Sequence, residues 1–226
     1  MSPDPDLSPD LSHVDTWLFD LDNTLYPLDS GLGRDISERI TAYVEGLTGL
    51  PRDEARALQE RYLAEHGLTL RGLMLHHGVD PDHYHAMFAD LPLEAIARDP
   101  ALAAAIARLP GRRLIFTNAD AGHTARILDR LGIAGLFDAV FHIESAGFAA
   151  KPDLKAFELL IDAHAIAPRR TCFFEDRALN LAPAFALGMT TVLVGPHAQA
   201  NTDRFVRHRA PRLAEFLQAA RVWEPA

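Results

Sequence analysis

Thr16-Trp17-Leu18-Phe19-Asp20-Leu21-Asp22-Asn23-Thr24 decides the reading of the whole chain. A short apolar run, too brief for a helix, stops abruptly at a carboxylate. Four similar runs follow at 113–116 (RLIF), 139–143 (AVFHI), 171–174 (TCFF) and 190–194 (TTVLV). Each is nearly continuous in apolar content and rich in aromatic or β-branched residues, the pattern of parallel strands covered on both faces. Helical stretches lie between them at 99–109, 120–131, 153–165 and 177–187. Asp120 is a candidate N-cap, and Gly132 and Gly188 are stops. Alternation of this kind predicts an α/β fold, a doubly wound, mainly parallel sheet with right-handed crossovers.

The alternation fails in one interval. Between about 29 and 96 no strand pattern occurs, and helical spacing recurs at 33–47, 52–65, 69–77 and 81–89. A structureless loop of that length does not suit a compact domain. The expectation is a helical cap at 29–96, inserted after the first strand of a core formed by 15–28 and 97–226. Residues 1–14, Pro- and Asp-rich, are expected to be a disordered tail.

Composition narrows the function. The chain has 226 residues, 48% hydrophobic and 23% charged, which is ordinary globular composition. Its 22 basic and 31 acidic residues leave a net charge of −9, which argues against a nucleic-acid polymer as partner. With one cysteine, Cys172, no intrachain disulfide can form. The N-terminus lacks a secretory pattern, and no apolar run is long enough to span a bilayer. The expectation is a soluble, cytoplasmic protein without a membrane partner, of open oligomeric state.

The chemistry sits where the strands end. In an open parallel sheet, ligands bind beyond the carboxyl ends of the strands. Those positions carry Asp20 and Asp22, then Thr117-Asn118, then Lys151 in the loop after the third run, then Glu175-Asp176. Taken singly, each is ordinary: an Asp-x-Asp loop, an N-cap, a surface Lys-Pro, acids ahead of a helix. Their shared placement is not. Clustered carboxylates need a cation, and an all-oxygen set suits Mg²⁺. Thr117 and Lys151 are donors for phosphate oxygens. A carboxylate beside the metal can act as nucleophile, and a second can serve as acid and base. The inventory points to phosphoryl transfer.

These motifs (FDLDNTL at 19–25, FTN at 116–118, KPD at 151–153, FED at 174–176) resemble the four signatures of the haloacid dehalogenase superfamily, over about residues 16–195. The segments DLDNTLYP (20–27), GLMLHHGVDPDHY (72–84) and IFTNAD (115–120) further resemble its pyrimidine 5′-nucleotidases. The resemblance implies a Rossmann-like core with a helical cap and a Mg²⁺-dependent phosphatase. Asp20 would be nucleophile and metal ligand. Asp22 would be the acid/base and ligate the metal through its carbonyl. Thr117 and Asn118 would hold phosphate, and Lys151 would pair with Asp20. Asp176 would bind metal, with Glu175 a ligand or a partner behind it. Asp22 separates the chain from the metal-free dehalogenases, which lack this acid. Arg177 and Asn180 depart from the usual hydroxyl and acid.

The implied substrate is a small phosphorylated metabolite, a nucleoside monophosphate first. Rivals are a sugar phosphomutase, another phosphatase such as one for phosphoglycolate, and an inactive interaction module. In the cap, HHGVDPDHYH (76–85) holds four histidines. His76-His77 are adjacent and His83 and His85 are two apart, so neither pair shares a helix face for a metal. The segment reads first as a solvated junction. His76, His77 and Tyr84 are candidates to face a substrate, Tyr26 to stack on a base, and His123 reads as structural.

Overall fold

The computed structural model describes residues 8–223. Six strands form one parallel sheet: β1 (Thr16–Phe19), β2 (Arg112–Phe116), β3 (Ala139–Phe141), β4 (Thr171–Glu175), β5 (Thr190–Val194) and β6 (His208–Ala210). Their spatial order is β3-β2-β1-β4-β5-β6. The sequence reading missed β6, whose His208-Arg209-Ala210 lacks an apolar run because it closes the sheet at an edge. β3 stops at Phe141, short of the expected Ile143.

Alternating side chains bury both faces, as continuous apolar strands require. Trp17, Phe19, Ile115, Cys172 and Phe174 pack on one side, with α5 (Pro100–Ala107), α6 (Ala121–Leu131) and α9 (Leu213–Ala219). Leu18, Leu114, Phe116, Phe173 and Leu193 pack on the other, with α7 (Leu154–His164) and α8 (Ala178–Ala186). Phe174 stacks on Phe19 with ring centroids 4.8 Å apart. Burial pushes the Cys172 thiol up, so it is a small core residue and not a nucleophile.

Between β1 and β2 the described elements are helical: α1 (Leu32–Thr48), α2 (Arg52–His66), α3 (Thr69–His77) and α4 (Pro81–His85), with short 3₁₀ turns. These helices form an insertion between the first two strands, at the position expected for the cap. Its return segment is stitched to the core by α6. Arg126 donates to the carbonyls of Phe88 and Leu91 at 2.6 Å each, and Arg130 donates to those of Leu93 and Ile96.

The expected tail is corrected in part. Residues 1–7 lie outside the described residues, but Leu11 and Val14 are buried. The Leu11 amide donates to the Arg221 carbonyl at 2.8 Å, and the Arg221 amide to that of Pro9 at 2.9 Å. Two apolar residues among the Asp and Pro were enough to anchor the segment. Among the described residues, no helix is long and apolar enough to cross a membrane.

β1 and β2 are aligned by a tight approach at their entry. Gly111 has φ +78°, and a Cβ there would sit 2.1 Å from the Asp15 carbonyl oxygen. That oxygen already accepts from the Arg112 amide at 2.8 Å. Gly111→Ala combines left-handed strain with a backbone clash, so it should lower unfolding stability by about 2–4 kcal/mol in urea titration. A loss below about 0.5 kcal/mol would contradict the placement of this turn.

Candidate active site

β1 lies between β2 and β4, so the chain runs outward from β1 through β2 to β3 on one side and then crosses back to β4 on the other, which opens a crevice at the carboxyl end of β1. There the Asp20 amide donates to the Phe174 carbonyl at 2.9 Å, extending the ladder by one residue. The residues after β1, β2 and β4 therefore come to one level. Asp20, Asp22, Thr117, Asn118, Lys151, Glu175 and Asp176 all line one cavity.

Lys151 is buried at the centre. Its Nζ donates to Asp20 Oδ1 at 2.8 Å, Glu175 Oε2 at 2.8 Å and the Phe116 carbonyl at 2.7 Å. Burial lowers the ammonium's pKa, but the two carboxylates outweigh it and hold it above the ordinary lysine value. Asn118 fixes the lysine's backbone: its Oδ1 accepts from the Lys151 amide at 2.9 Å and its Nδ2 donates to the Lys151 carbonyl at 3.0 Å. The Asn118 side chain is thus spent on the loop, not free for phosphate. Thr117 Oγ1 accepts from the Ala119 amide at 3.0 Å, which leaves its proton available to a ligand.

Asp20, Glu175 and Asp176 offer oxygens within 4.8 Å of one another. Burial, then the charge of Glu175, pushes Asp20 up to about 7 against the pull of Lys151. Burial and the neighbouring Asp20 and Glu175 push Asp176 up to about 9. Carboxylates this crowded resist ionisation until a cation joins them. Asn180 Oδ1 is buried on the same cavity without a hydrogen-bond partner. An all-oxygen set with an orphaned carbonyl oxygen beside it fits Mg²⁺. Glu175 is the most committed of the set, because its other oxygen accepts from the Arg177 amide at 3.1 Å.

Asp22 stands apart. His123 Nε2 lies 2.9 Å from its Oδ1, and the Tyr26 hydroxyl donates to the same oxygen at 2.6 Å. Burial would raise this carboxyl, but His123 and then Tyr26 hold it below the usual range. Oδ2 is left without a protein hydrogen bond. The structure corrects two readings here. His123 is not merely structural: it lines the cavity and touches Asp22. The signal available was its place three residues after the N-cap Asp120, on the helix that starts at the rim. Tyr26 does not stack on a ligand, since its ring is buried and its hydroxyl is engaged.

The cap supplies the opposite wall through Ile36, Ile40, Leu68, Tyr84 and Phe88. Gly67 (φ +75°) brings the cap down onto the core, where a Cβ would lie 3.1 Å from the Lys151 carbonyl oxygen. Tyr84 lines the cavity. His76 and His77 do not: both are exposed, His76 stacked on Tyr62 at 5.2 Å and His77 Nε2 3.0 Å from the Tyr62 hydroxyl. Tyr62 sits on α2, and sequence spacing gave no sign of that contact.

Four matches to known proteins fit this fold. The family model of haloacid dehalogenase-like hydrolases matches residues 14–188. "Phosphate metabolism protein 8" of Saccharomyces cerevisiae is 28% identical over 207 residues, 84% of this chain and 63% of that protein. The chain thus spans under two thirds of that curated relative. Among solved structures, a HAD phosphatase from Thermococcus onnurineus superposes with a TM-score of 0.65 at 18% identity, over 91% of this chain and 97% of that one. YfnB of Bacillus subtilis, bound to magnesium, superposes with a TM-score of 0.60 at 15% identity, over 91% and 97%.

Removing the central cation leaves two buried carboxylates uncompensated. Lys151→Met should destabilise the protein by about 3–5 kcal/mol in urea with EDTA present. A cost under about 1 kcal/mol would show that the Asp20–Lys151–Glu175 contacts are not as drawn.

Proposed function

The chain belongs to the haloacid dehalogenase-like hydrolase family, and from that premise we propose that it is a Mg²⁺-dependent phosphatase of small phosphomonoesters, with nucleoside 5′-monophosphates, pyrimidines first, as substrates. The observation that carries the chemistry is the pairing of two differently tuned carboxylates at one strand end. Asp20 is fixed by Lys151 and by Thr24 Oγ1, which donates to Oδ2 at 3.0 Å. Asp22 is held from one side only, by His123 and Tyr26.

In this reading a carboxylate oxygen of Asp20 attacks phosphorus. The bond from phosphorus to the leaving oxygen breaks, and its electron pair goes to that oxygen, which takes a proton from Asp22. The dianionic phosphate raises the Asp22 carboxyl on arrival, so the proton comes in with the substrate. Asp22 then removes a proton from a water that attacks the aspartyl-phosphate. The phosphorus–Asp20 bond breaks, inorganic phosphate leaves, and Asp22 gives the proton taken from water to solvent once the phosphate charge is gone, so both carboxyls return to their starting state. The Thr117 hydroxyl holds a phosphoryl oxygen, and Lys151, whose three N–H groups are taken by Asp20, Glu175 and the Phe116 carbonyl, supplies positive charge beside the nucleophile. Asp20, Asp176, the Asp22 carbonyl and Asn180 would hold Mg²⁺, with Glu175 behind them. When bound, the ion offsets the repulsion between the anionic nucleophile and the anionic phosphate.

The cap wall supports the substrate class. Of Ile36, Ile40, Leu68, Tyr84 and Phe88, only Tyr84 carries a polar atom. A planar base packs against such a wall. A sugar would leave its hydroxyls unpaired there, which disfavours the phosphomutase reading.

Phosphate release from UMP, CMP, AMP, GMP, phosphoglycolate and glucose 6-phosphate, with Mg²⁺ and with EDTA, tests this. The expected result is metal-dependent release, greatest for UMP or CMP, reduced at least about 1000-fold in Asp20→Asn. Equal rates across the panel would remove the nucleotide assignment, and release surviving in Asp20→Asn would remove the mechanism. His123→Asn should lower kcat about tenfold with KM little changed, because the acid/base loses one of its two positioning donors. An unchanged kcat would leave His123 without a part in the reaction.

A further inference from the structure

A second cluster of metal-type ligands lies at the edge of the carboxylate site and shares no ligand with it, although Asp120 lines the same cavity. His85, Asp120 and Glu144 each offer one ligand atom, and the three atoms lie within 4.8 Å of one another. They come from three places: His85 ends α4 of the cap, Asp120 caps α6 of the core, and Glu144 is in the loop after β3. His85 Nδ1 is 3.6 Å from Glu144 Oε1. A second imidazole stands behind them, with His142 Nδ1 2.7 Å from Glu144 Oε2.

We propose that His85, Asp120 and Glu144 form a site for a divalent transition metal of the Zn²⁺ class, which ties the cap to the core, with His142 beside Glu144. Four observations support it. One imidazole and two carboxylates make a nitrogen–oxygen set, the ligand composition of a three-residue Zn²⁺ site, and a nitrogen ligand favours Zn²⁺ and similar ions over Mg²⁺. Glu144 Oε2 is buried and has no hydrogen-bond partner; the close His142 nitrogen lacks hydrogen-bond alignment. Asp120 is 8% exposed, and the one side-chain hydrogen bond it accepts, from the His123 amide at 2.8 Å, already fixes its orientation. His85 is braced by Phe148, whose ring lies 6.4 Å away at 28°, and Phe148 holds a left-handed backbone (φ 64°). Ligands at 2.0–2.1 Å around a tetrahedral ion stand about 3.3 Å apart, so side-chain shifts of about 1 Å bring His85, Asp120 and Glu144 to that spacing, with water in the fourth position.

This placement explains why spacing along 76–85 pointed to no metal. His83 is engaged elsewhere, 3.0 Å from the Tyr43 hydroxyl. His85 finds its co-ligands 35 and more residues away in sequence. The proposal does not depend on the substrate or on the phosphatase reading.

Equilibrium dialysis of the full chain against micromolar Zn²⁺, with millimolar Mg²⁺ present, tests it. Wild-type protein should bind one equivalent of Zn²⁺ more than Glu144→Gln and than His85→Gln, with folding of each variant checked by circular dichroism. Asp176→Asn and His76→Ala should keep that equivalent. Unchanged stoichiometry in Glu144→Gln and His85→Gln, or loss of the equivalent in Asp176→Asn or His76→Ala instead, would overturn the proposal. X-ray absorption of the Zn²⁺-loaded wild type needs no variant. Imidazole scattering from one ligand is expected, and an all-oxygen shell would overturn the assignment.

Discussion

Lys151 holds the site together. A buried ammonium is costly unless its donors are satisfied, and so is each buried carboxylate beside it. Here each meets the other's requirement: Nζ contacts Asp20, Glu175 and the Phe116 carbonyl, all at 2.7–2.8 Å. Those three partners sit at the ends of β1, β4 and β2. The charge balance is therefore also a register constraint. A slip of one residue in any of the three strands would turn its terminal group to the wrong face and strand a charge in the core. The aromatic layer beneath agrees, with Nζ lying 4.9 Å from the centroid of Phe116 and 5.2 Å from that of Phe173.

Around that fixed centre the rest of the cavity divides by polarity. The core supplies nearly all the charge, and the cap supplies an apolar wall. Asp22 occupies the border, and its two donors come from different elements: Tyr26 from the loop after β1 and His123 from the first turn of α6. The orientation of Asp22 thus depends on where α6 docks. The same helix anchors the cap's return segment through Arg126 and Arg130.

The sequence showed the core of this arrangement clearly, because the physical demands on it are local. Fully buried parallel strands must be apolar throughout, so β1, β2, β4 and β5 were legible as runs, and their terminal polar residues stood out. β6 was not legible, because an edge strand of three residues carries no such pattern. The expected tail failed for a related reason: its backbone pairs with Arg221, over 200 residues away, and Leu11 and Val14 are buried in the core. Long-range side-chain pairing was the hardest to read. Nothing in the spacing of Tyr26 or His123 shows that both meet one oxygen of Asp22. Likewise, the exposure of His76 and His77 follows from packing on Tyr62, not from their own composition.

The two ends of the sheet have a consequence for behaviour in concentrated solution. β3 and β6 are each three residues long, and they flank longer strands on both sides. An exposed strand edge is a template on which another chain can add. Among the described residues, this sheet offers at each border room for only a few intermolecular backbone hydrogen bonds, while its long apolar strands stay interior. The architecture keeps the sequences most prone to form fibrils out of reach for as long as the sheet stays folded.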